Sequence, residues 1–141
     1  MIPTENSTSR KEERIMGIDE NLLKRLWIKR YGNSPWARDC YGYWINFFDH
    51  GRDCRKRTTP DGRLEDCGWE IDHILPESKG GSDYESNLEF VYHVCNEKKS
   101  DKIVYELANG KIYEVRSRPY NNGYGIFSRS LGRFIDWTSR N

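Results

Sequence analysis

Apolar and polar positions divide the chain into a leading helix, a strand-rich middle closed by a second helix, and a strand-rich end. From Asp19 onward, Leu22, Leu23, Leu26 and Trp27 repeat at helical spacing over about three turns. Asp19 is placed to cap the first turn and Gly32 to end the last, so the stretch predicts a helix that packs along one face. Asp39 to Gly42 has the end residues of a type I turn, and the aromatic, β-branched run from Tyr43 to Phe48 predicts a strand. Residues 49–66 predict one long loop carrying Arg52, Arg55, Lys56, Arg57 and Arg63. Strands are expected at Trp69 to Ile74 and Leu88 to Tyr92, then a helix from near Val94. Further strands follow at Lys111 to Ser117, Tyr124 to Ser128 and Arg133 to Trp137, with a turn at Asn121-Asn122-Gly123. Residues 1–14 are polar and aperiodic and read as a disordered tail.

Composition narrows the class. With 141 residues there is room for one domain, and 35% hydrophobic with 13% aromatic residues is too apolar for a disordered chain. No stretch approaches the roughly 20 apolar residues of a membrane span, and the start has no apolar leader core, so a cytoplasmic protein is expected, with no membrane partner. Four cysteines, Cys40, Cys54, Cys67 and Cys95, form no C-x2-C pair, so free thiols are expected and a structural zinc is not. The five tryptophans are expected in packing rather than in base stacking.

The informative stretch is Trp69 to Asp101. Asp72 and His73 are adjacent at the end of an apolar strand, so their side chains leave on opposite sides. Asn96 lies near the start of the following helix, where folding back brings its amide oxygen toward Asp72. A carboxylate with an amide oxygen is a hard oxygen site, better suited to Mg2+ or Mn2+ than to zinc.

These residues resemble the HNH nuclease family. The resemblance rests on the Asp72-His73 pair closing a strand, Pro76, the Gly80-Gly81 loop, Asn87-Leu88 opening the second strand, and N-x-x-K-S-D from Asn96 to Asp101. Upstream, Trp36 to Ile45 also looks like a segment found before this motif in small phage and bacterial members, so the similarity covers about residues 36 to 101. It implies an α+β fold with a ββα-metal core, here with an N-terminal helix and a β-rich C-terminal extension. The expected division is a nuclease domain over 15–110 and an appendage over 111–141 packed on it.

By the same resemblance His73 is the general base, Asp72 and Asn96 hold one divalent cation, Mg2+ or Mn2+, and Asn87 bridges the loop and holds His73 in orientation. Lys99 is expected at a phosphate, and Glu70, two residues before Asp72 on its strand face, behind the metal ligand. The implied activity is hydrolysis of DNA, with RNA left open, by a monomer or homodimer in a bacterial or phage-infected cell. The competing reading is a catalytically silent domain that only binds nucleic acid. The net charge of +1 is a cancellation: residues 67–101 hold three basic residues against eight acidic, while 10–66 hold thirteen against ten and 111–141 six against two. An acidic centre suits a cation and basic flanks suit a polyanion, which places the expected DNA contacts at Arg55, Arg57 and the C-terminal strands.

Overall fold

The computed structural model describes residues 19–51 and 56–140; the expected tail over 1–14 lies outside the described residues, as does Arg55. Helix α1 (Glu20–Tyr31) begins where Asp19 stays extended and accepts the Asn21 N–H at 3.0 Å. It ends at Gly32, whose φ of 82° turns the chain while its N–H reaches the Ile28 carbonyl at 2.8 Å.

Strands β1 (Trp36–Arg38) and β2 (Trp44–Asn46) form an antiparallel hairpin across the Asp39 to Gly42 turn. The strand expected over 43–48 is shorter, because the Asn46 side chain accepts the Phe48 N–H at 3.0 Å and coils Phe47–Asp49 into a 3-10 turn. The single loop expected over 49–66 contains a second hairpin, β3 (Lys56–Thr58) with β4 (Leu64–Asp66). Its turn runs through Thr59-Pro60-Asp61-Gly62, where Gly62 takes a φ of 91° and donates to the Thr59 carbonyl at 2.8 Å. The flanking K-R-T and L-E-D runs lack the apolar alternation that marks a strand.

Next come β5 (Trp69–His73) and β6 (Leu88–Tyr92), antiparallel with Trp69 opposite Tyr92 and His73 opposite Leu88. Helix α2 (His93–Lys99) follows β6 directly. Strands β7 (Val104–Glu106), β8 (Ile112–Ser117), β9 (Tyr124–Ser128) and β10 (Arg133–Phe134) form one antiparallel sheet in the order β10-β9-β8-β7. The boundary expected between residues 110 and 111 therefore falls inside the β7–β8 hairpin, and the sheet begins at Val104.

Two cores fix the middle of the molecule. In the first, Leu22, Leu23, Leu26 and Trp27 of α1 pack on Ile45, Phe47, Trp69 and Phe90. Trp27 is central, with its ring 5.3 Å from those of Phe47 and Phe90 and its indole N–H donating to the Ser34 carbonyl at 2.8 Å. Trp27→Ala is expected to remove about 3–5 kcal/mol of stability, checked by urea unfolding. In the second core, Ile74 and Cys95 pack on Tyr105, Tyr113, Ile126 and Ile135, which seats the C-terminal sheet against α2 and the end of β5. The first core thus holds β5 at Trp69, and the second holds the chain just past its end at Ile74. Among the described residues no helix is long and apolar enough to cross a membrane.

Candidate active site

Alternation along β5 sends Asp72 and His73 to opposite sides of the strand. Asp72 is buried, 4% exposed, while His73 at the strand end is half-buried. On α2, Cys95 and Lys99 are one turn apart on the inward face, and Asn96 lies one position around from it. Asp72, His73 and Asn96 come together as walls of one open cavity, with Glu77 and Asp101 at its edge.

Lys99 departs from the expectation that it meets a phosphate. Its ammonium is 1% exposed and donates to Asp72 Oδ1 at 3.1 Å and to the His73 carbonyl at 3.0 Å. The inward face of α2 points it at β5, so its charge serves Asp72 rather than solvent. The other carboxylate oxygen, Asp72 Oδ2, is buried and has no hydrogen-bond partner. A buried anionic oxygen left bare is costly unless something else takes it. With the Asn96 amide in the same cavity, the donor set is hard oxygen, which fits Mg2+ or Mn2+. Lys99 cancels much of the local charge, so such a site suits a weakly held ion whose remaining ligands are water and phosphate.

Burial raises the Asp72 carboxyl from 3.8 to about 6, against the opposing pull of Lys99 and His73. A carboxyl that has taken up a proton is a poor cation ligand. Divalent affinity is therefore expected to hold above that value and to fall as the pH drops through about 6, checked by calorimetric Mn2+ titration on either side of it.

His73 Nε2 lies 2.9 Å from Asp83 Oδ1 and 3.6 Å from Glu77 Oε2. These three side chains also form the one group of His, Cys, Asp and Glu among the described residues whose ligand atoms lie mutually within 4.8 Å. Sequence reasoning missed Asp83 and Glu77. Gly80-Gly81 predicts a tight return after Pro76, but residue order alone does not pair Asp83 with His73. Asn87 ties that loop shut: its Oδ1 accepts the Leu75 N–H at 2.9 Å, and its Nδ2 donates to the Leu75 and Ser82 carbonyls at 3.1 and 2.9 Å.

Two other expected contacts stand apart from the cavity. Arg57 makes a two-pronged ion pair with Asp49, at 2.7 and 2.9 Å, so its guanidinium fork is engaged within the protein and not turned toward a substrate. Glu70 sits 3.9 Å from His50 Nε2 at a partly exposed position, facing that imidazole instead of supporting Asp72.

This arrangement places a histidine and a carboxylate back to back at a strand end, with an asparagine from the following helix beside the carboxylate. Residues 53–102 match the HNH endonuclease family. The matched segment thus runs from the β3–β4 hairpin through α2, and the four-stranded sheet lies beyond it. No curated protein and no solved structure matches the chain. Members of that family act on nucleic acids and are generally metal-dependent, which agrees with the oxygen donors at this cavity.

Proposed function

We propose that the chain is a divalent-metal-dependent endonuclease that hydrolyses DNA phosphodiester bonds at the cavity between β5 and α2. In this reading β5, β6 and α2 are its ββα-metal core. The observation that carries the proposal is a buried carboxylate, Asp72, with one oxygen unpartnered, lining the same cavity as Asn96 and His73.

Asp72 Oδ2 and the Asn96 amide oxygen would hold the ion, Mg2+ or Mn2+. When bound, it supplies positive charge to the scissile phosphate and the departing 3′ oxygen. His73 takes a proton from a water whose oxygen forms the new bond to phosphorus, and the bond from phosphorus to the 3′ oxygen breaks. Lys99 donates to one oxygen of Asp72 and leaves the other without a hydrogen-bond partner. Residues 111–141, whose strands are seated against α2 by the second core, hold six basic residues against two acidic. The described residues form one such cavity, so a monomer nicks one strand and a cut through both takes two copies.

This bond order fixes the ends of the product. Fragments are expected to carry 5′-phosphate and 3′-hydroxyl groups and to be joined by DNA ligase without end repair. Fragments that need a phosphatase first would overturn the assignment of the 3′ oxygen as leaving group. Duplex that is bound but stays whole with either metal, as does RNA, would instead support the silent binding domain.

A further inference from the structure

We infer that Asp83 is the positioning residue of His73: its carboxylate fixes the imidazole proton on Nε2 and leaves Nδ1 as the bare nitrogen, the one able to take up a proton. A neutral imidazole has one N–H and one bare nitrogen, and an ionised carboxylate only accepts. A nitrogen 2.9 Å from Asp83 Oδ1 is therefore the one that carries the proton. Glu77 Oε2, 3.6 Å from the same nitrogen, adds to the negative field on that side and reinforces the preference.

The loop between the two residues is built to deliver this contact. Gly80 turns the chain at a φ of 93°. At Gly81 a Cβ atom would stand 1.7 Å from the Leu75 carbonyl oxygen and 2.7 Å from its carbon, so only glycine lets the backbone cross there. Asn87 then binds Leu75, two residues after His73, and Ser82, one residue before Asp83. One amide thus ties together the two ends of the segment that bear the imidazole and its acceptor. Asn87 orients His73 through the loop, and Asp83 makes the contact.

The catalytic part of this inference rests on the nuclease reading, whereas the protonation pattern does not, and the two are read separately. The measurement is the pattern of ring nitrogen signals in ¹⁵N-labelled full-length protein at alkaline pH, with His73 assigned by its loss in His73→Ala. Wild type is expected to show a protonated Nε2 and a bare Nδ1, with and without Mg2+. Asp83→Ala is expected to show a mixture of the two forms and a kcat about tenfold to a hundredfold lower at unchanged KM. Asp83→Asn, which keeps an acceptor oxygen, is expected to restore most of both. Gly81→Ala is expected to resemble Asp83→Ala, because it moves the loop off Leu75. A bare Nε2 in wild type, whether through the opposite tautomer or because added Mg2+ takes that nitrogen, would overturn the inference whatever the activity. An unchanged ring pattern in Asp83→Ala would overturn it equally. Absence of cleavage by wild type with the expected ring pattern would count against the nuclease reading alone.

Discussion

His73→Ala is expected to lower the cleavage rate by roughly a hundredfold to ten-thousandfold, the range for loss of a positioned general base. The loss should fall on kcat, with divalent affinity and DNA binding at wild-type levels. That separation follows from the strand geometry. His73 leaves β5 on the side opposite Asp72, so its removal leaves Asp72, Asn96 and Lys99 in place. The side chain is also half-buried at a strand end, so the variant should fold normally. Single-turnover cleavage, a calorimetric metal titration and a duplex binding assay together check the split. Wild-type cleavage by the variant would remove His73 from the mechanism.

The second large effect is at Asp72, where two consequences need to be kept apart. Asp72→Asn removes the charged ligand and is expected to abolish measurable divalent binding and cleavage. It also strands the Lys99 ammonium, which is 1% exposed, against a neutral partner. Breaking a buried pair from one side destabilises by about 3–5 kcal/mol, so the single variant should unfold at markedly lower urea. Adding Lys99→Met should recover part of that stability, since it removes the uncompensated buried ammonium. Metal binding should not return with it. A double variant that regains stability but still binds no metal assigns Asp72 a ligand role distinct from its packing; one that binds metal normally refutes that role.

Much of this site can be read from residue order. The capped helix from Asp19 to Gly32 and the strands at Trp69 and Leu88 follow from local patterns, and the cavity joins Asp72, His73 and Asn96. The β3–β4 hairpin was hidden because its strands are polar on both faces, leaving only the P-D-G turn as a sign. Lys99 was misread because a lysine near a helix end is ordinarily in solvent. Here Cys95, one turn earlier, marks the inward face on which Lys99 also lies. Asp83 was invisible because its contact with His73 depends on a loop closed by Gly81 and Asn87, not on either residue's neighbours in sequence.

Cleavage of supercoiled plasmid by the purified chain, with Mg2+ or Mn2+ and with excess EDTA, tests the central claim most directly. Conversion to nicked circles is expected, with linear product only as copies act on both strands, and complete arrest by EDTA. Plasmid left supercoiled with either metal, or relaxed equally well in EDTA, would contradict it.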